Sequence, residues 1–100
     1  NVELAKDLFI MLLNELPSTK KNINAAYAGN NLQDLRTHVH KLHGGCCYVG
    51  VPKLKNIAQV LEAAIIKVDI DEIRVLLNEL NNEIDIILSA DVEEIKKALS

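Results

Sequence analysis

A chain of 100 residues and 11.1 kDa makes one small domain, residues 1–100, and leaves no room for a second. Hydrophobic residues make up 49% against 4 Gly and 2 Pro, which supplies a core but too few turns for a β-sandwich or barrel. The net charge of −3 argues against a nucleic-acid partner, and no apolar run approaches the roughly 20 residues of a membrane span.

The apolar periodicity is helical throughout, with no strand alternation. Residues 2–16 place Leu4, Ala5, Leu8, Phe9, Leu12 and Leu16 on one face. Pro17 is expected to stop this helix, because proline disfavours helix in the residue before it. Ser18 or Thr19 then caps a second, shorter helix holding Ile23, Ala26 and Tyr27, and Gly29-Asn30 ends it with glycine as the left-handed residue. A third helix starts near Asn30 or Asn31. It carries Leu32, Leu35, Val39, Leu42, Cys46 and Val49, an unbroken seam of threes and fours, until Gly50 breaks it. Val51-Pro52 opens a fourth helix, with proline where its missing N–H costs nothing. Leu54, Ile57, Ala58, Leu61, Ala64 and Ile65 form its buried face, and it ends near Lys67. A fifth runs from Asp69 or Ile70 to about Leu88 through Ile73, Leu77, Leu80, Ile84 and Ile87. Asp91, with Glu94 three residues on, resembles a capping box. It opens either a separate short helix or a continuation of the fifth. Short connections make neighbours antiparallel, so the expected fold is all-α: an up-and-down four-helix bundle with a short additional helix.

The chemistry is crowded into residues 36–50, which hold all three histidines, both cysteines and three of the four glycines. On a helical wheel His40 lies roughly 130° from the seam centre and faces solvent. Gly44 is one turn on, beside His40, and Cys47 continues the same stripe. Arg36 is one turn back. His43 sits at one border of the core, and His38 on the other, pointing away from His40. Two glycines inside a helix cost about 0.8–1.0 kcal/mol each relative to alanine. Broken local rules tend to mark functional or tightly packed sites. Gly44 leaves the imidazole of His40 uncovered, so a second protein can approach it. Gly45 lies to the side, where it lets a neighbouring helix come close. The ordinary readings stand beside these: a surface histidine, close helix packing, a small core residue at Cys46, a solvated charge at Arg36. Adjacent Cys46 and Cys47 point about 100° apart and do not suit a mutual disulfide. Such cysteine usage suits a reducing cytoplasm.

The segment His40-Lys41-Leu42-His43-Gly44-Gly45-Cys46-Cys47-Tyr48-Val49-Gly50 resembles the signature of the histidine-containing phosphotransfer (HPt) family: a histidine, a basic residue three later, glycine, small residues and an apolar-glycine pair. Val51-Pro52-Lys53-Leu54-Lys55-Asn56 and Met11-Leu12-Leu13-Asn14-Glu15-Leu16-Pro17 resemble more narrowly the C-terminal HPt domain of BarA/GacS-type hybrid sensor kinases. The resemblance covers about residues 4–88. It implies a four-helix-bundle phosphocarrier. His40 takes a phosphoryl group from a receiver-domain aspartate and passes it to a response-regulator receiver aspartate, with Gly44 leaving His40 accessible. His43 stands where many members have lysine, as the phosphoryl neighbour. Lysine is always cationic there whereas an imidazole can be neutral, so the group that neutralises the phosphoryl charge is open among His43, Lys41, Arg36, Lys55 and Gln59. Ile10, Met11, Arg36, Lys41 and Cys47 are the docking candidates. For Ile10 and Met11 the competing role is a wide core face.

The resemblance implies no cofactor in this domain, with Mg²⁺ on the partner receiver. No Walker-type or kinase-like glycine motif is present, so no ATP site is expected here. The chain opens on Asn1 rather than Met, and we expect a piece of a longer polypeptide, such as the cytoplasmic end of a membrane-anchored hybrid sensor histidine kinase. The isolated domain is expected to be monomeric. Two other readings compete. One is a metal-binding helical module using His40, His43 and Cys47; against it, no Asp or Glu lies close on that stripe to orient the histidines. The other is a module that docks receivers without carrying phosphate.

Overall fold

Residues three and four apart bury one stripe of each helix, and four such stripes close the core. In the computed structural model the chain forms α1 (Val2–Ala28), α2 (Leu32–Cys46), α3 (Pro52–Lys67) and α4 (Ile70–Leu99). The structure describes the backbone of residues 2–47 and 49–99, and the side chains of 3, 4, 6–47 and 49–89. Among the described residues there is no strand. α1 packs on α2 and α4, and α3 on α2 and α4, the closed ring of an up-and-down helical bundle. Leu16, Ile23, Leu35, Val39, Leu54, Leu61, Ile73, Leu80 and Ile84 are wholly buried in it, and no polar or charged residue among those described is buried.

Pro17 does not stop α1. It lies exposed inside one 27-residue helix, and the short additional helix expected after it is the second half of α1. An interior proline costs a hydrogen bond and about 3 kcal/mol. Leu12, Leu13 and Leu16 before it and Ile23 and Ala26 after it are all buried on the same core. At about 1.5–3 kcal/mol per buried aliphatic side chain, packing outweighs the local penalty. Leu4, expected on the core face, is 58% exposed. The side chain of Ala5 lies outside those described.

The turn after α1 also differs from expectation. Its left-handed residue is Asn30, at φ 55, and no glycine has positive φ. Asparagine tolerates this region better than other side chains do. Asn31 N–H donates back to the Ala26 carbonyl at 2.9 Å. Asn31 caps α2: its side-chain oxygen accepts from the Asp34 backbone N–H at 3.1 Å, while its amide donates to the Asp34 carboxylate at 2.9 Å. The seam of α2 is buried at Leu35, Val39, Leu42 and Cys46. The helix ends at Cys46, so Val49 is a half-buried loop residue and Gly50 is not the breaker. α3 opens on Pro52 and buries all six expected residues. It closes on Val68 in the left-handed region at φ 58, a strained position for a β-branched residue. α4 continues unbroken past Leu88, so the tail is part of it.

Candidate functional site

α2 and α3 are antiparallel neighbours joined by a short connection. His40 and Glu62 are equidistant from Val51 in that connection, and the register brings them face to face. His40 Nδ1 lies 2.9 Å from Glu62 Oε2 and 3.2 Å from Oε1. An ionised carboxylate only accepts, so the ring proton is on Nδ1 and Nδ1–H donates. In the neutral ring the other nitrogen, Nε2, then keeps its lone pair. The His40 side chain is 72% exposed and that of Glu62 only 17%. A fixed carboxylate thus sets the tautomer of a ring that is otherwise open to solvent.

Glu62 is not among the residues that the α2 stripe points to. No acid lies close on that stripe, but the neighbouring helix supplies one. Counting outward from the predicted connection at Val51 was the available signal.

Arg36 shares an open cavity of about 350 Å³ with His40, Glu62, Gln33 and Thr37. Its Nε lies 3.8 Å from Glu62 Oε2. Thr37 is already committed, its hydroxyl donating to the Gln33 carbonyl at 2.9 Å. His38 lies on the opposite flank, in a cavity with Asn22, Ala26 and Asp34.

Gly44 is exposed, and a Cβ added there would meet nothing within 4 Å. Packing among the described residues therefore does not require glycine at 44. A Cβ on Gly45 would meet Leu12 Cδ1 at 3.7 Å, an ordinary contact. Gly45 does face the neighbouring helix α1, as expected, but the approach leaves room for a Cβ.

The remaining candidates scatter around His40. His43 is half-buried, and its Nε2 is buried with no hydrogen-bond partner among the described residues. That ring edge is not presented to the open face. Lys41 lines a groove between α1 and α2 with Glu15, Ser18, Thr19 and Gly45. Met11 is 56% exposed and lines a small cavity with Leu8, Leu12, Glu15 and Gly45. Ile10 is half-buried. Cys47 follows the end of α2, its thiol donating to the His43 carbonyl at 3.3 Å. Burial pushes the Cys46 thiol up to about 11, the nearby Cys47 adding to the effect and Lys55 opposing it. Cys46 is thus an inert core residue. His40, His43 and Cys47 do not form a metal set: among the described residues no three His, Cys, Asp or Glu side chains gather for one. No described helix is long and apolar enough to cross a membrane.

The model of the Hpt domain family matches residues 7–96. The chain belongs to that family, and is a phosphotransfer module of two-component signalling. Among curated proteins it is 43% identical over 60 residues to "Signal transduction histidine-protein kinase BarA" of Shigella flexneri and 42% identical over 60 residues to the protein of that name in Escherichia coli (strain K12). It is 42% identical over 57 residues to "Sensor histidine kinase GacS" of Pseudomonas protegens. These matches cover 60%, 60% and 57% of this chain but 6% of each relative. No solved structure matches it significantly.

Proposed function

We propose that this chain is a phosphocarrier that holds a phosphoryl group on Nε2 of His40. The observation that carries the reading is the Glu62 contact, which engages Nδ1 and leaves Nε2 free on an exposed ring. The lone pair of Nε2 attacks the phosphorus of an aspartyl phosphate on a receiver domain. An N–P bond forms, the acyl O–P bond breaks, and the aspartate carboxylate leaves. Nδ1 keeps its proton, so the ring becomes cationic while the bond forms. The Glu62 carboxylate offsets that charge at hydrogen-bond distance. Transfer to a second receiver aspartate is the reverse chemistry.

Phosphoryl transfer needs positioning and charge neutralisation more than covalent help. Mg²⁺ would be held by the receiver, and this domain supplies the nucleophile. Gly44 fits a docked partner: it lowers helix propensity with no packing reason among the described residues. Met11, beside Gly45 on the α1 flank, offers the apolar contact that such an interface needs, and Ile10 and Lys41 extend the same flank. The similarity to BarA and GacS supports a place within a sensor kinase; a position on its cytoplasmic side and a monomeric isolated domain are part of the same proposal.

The test mixes the purified domain with a radiolabelled phospho-receiver. Label is expected to move to the native domain, acid-labile and alkali-stable, and to be lost in a folded His40→Gln variant. No transfer from any of several receivers would favour a docking-only module.

A further inference from the structure

The carrier reading leaves a dianionic phosphoryl group beside a carboxylate, and a cation must answer it. Among the described residues, Arg36 is the one cationic side chain lining the cavity that holds His40 and Glu62. It stands one helical turn before His40, on the same face. At 3.8 Å its contact with Glu62 is an ion pair too long for a hydrogen bond, and the side chain is 56% exposed. Its guanidinium therefore has N–H donors to spare. The alternatives point elsewhere. His43 turns Nε2 inward, Lys41 lies in the α1–α2 groove, and Lys55 does not line this cavity.

We propose that Arg36 is the phosphoryl-recognising residue of this domain, exchanging its loose contact with Glu62 for the phosphoryl oxygens on His40 Nε2. Guanidinium is suited to that exchange, because its planar fork pairs with two phosphoryl oxygens at once. In the free domain Arg36 leans on Glu62. In the phosphorylated domain it neutralises the new charge and relieves the repulsion between phosphoryl and carboxylate. This inference rests on the carrier reading.

The test uses phosphoramidate as donor, so no receiver is involved. Its P–N bond breaks, ammonia leaves, and the phosphoryl group bonds to the imidazole nitrogen. Phosphorus NMR then follows the titration of the phosphohistidine group in the native domain, Arg36→Gln and Arg36→Lys. Removing the cation is expected to raise the midpoint by about half a pH unit, the size set by an exposed ion pair. Arg36→Lys keeps the charge but loses the planar fork, and its midpoint is expected to fall between those of the native domain and Arg36→Gln. A midpoint unchanged in Arg36→Gln, or moved as far in Arg36→Lys, overturns the role of Arg36 alone. Absence of a phosphohistidine signal in the native domain, or its persistence in His40→Gln, overturns the carrier reading and this inference with it.

Discussion

Two of the polar contacts between helices, Asn24 with Asn81 and His40 with Glu62, are built differently. Between α1 and α4, Asn24 Nδ2 donates to Asn81 Oδ1 at 2.9 Å and Asn81 Nδ2 donates to Asn24 Oδ1 at 3.0 Å. Asn24 also donates to the Lys20 carbonyl at 2.7 Å, and Lys20 pairs with Asp85 at 2.7 Å. Both asparagines are half-buried, and each oxygen is used by the other residue. Between α2 and α3, His40 gives one nitrogen to Glu62 and keeps the other for solvent. The first contact is reciprocal and closed, and its value is register. The second is one-sided and exposed. A residue positioned by one edge and unsatisfied at the other is available for chemistry.

The comparison can be broken by removing one partner from each pair. The largest expected effect is on transfer. Glu62→Ala should slow phosphoryl uptake by about tenfold, the loss of one charge-assisted hydrogen bond, while the denaturation midpoint stays close to native. Uptake rate, measured with a phospho-receiver, checks it; unchanged uptake would reduce Glu62 to a surface ion pair. Asn24→Ala should do the reverse. Its half-buried partner loses a donor and an acceptor, at a cost of about 1 kcal/mol in urea denaturation, with uptake unchanged. Replacing both asparagines by leucine should recover much of the loss and yield a coupling free energy between them. Recovery to no degree would mean that the pair sets register in a way apolar packing cannot replace.

The smallest expected effect is at Gly44. Gly44→Ala removes a helix penalty and fills open space, so stability should rise by about 0.5–1 kcal/mol. Uptake from phosphoramidate should stay at the native level while uptake from a receiver falls. Equal uptake from both donors would show that no partner backbone needs the space beside His40.

Much of the fold was legible because it is local. Leu35, Val39, Leu42 and Cys46 repeat at threes and fours and are buried. Pro52 opens α3 where its missing N–H is harmless. The wheel also put His40 and Gly44 together on the exposed side of α2, since that needs only the angle per residue. The errors came where distant packing overrides a local rule. Pro17 reads as a stop, yet buried leucines and isoleucine on both sides carry α1 through it. Gly29 reads as the left-handed residue, yet Asn30 adopts that conformation.

The contacts that matter most to the site were of another kind. Glu62 on His40, Arg36 beside both, and Asn24 on Asn81 join residues on different helices or set their side chains against one another. Periodicity along the chain determines which face of each helix is apolar and which side chains meet water, because burial follows an angle of about 100° per residue. Only the packed bundle decides which exposed face meets which, because that depends on the axial register of one helix against the next. Near His40 that register supplies a carboxylate, and the carboxylate selects the nitrogen that remains free.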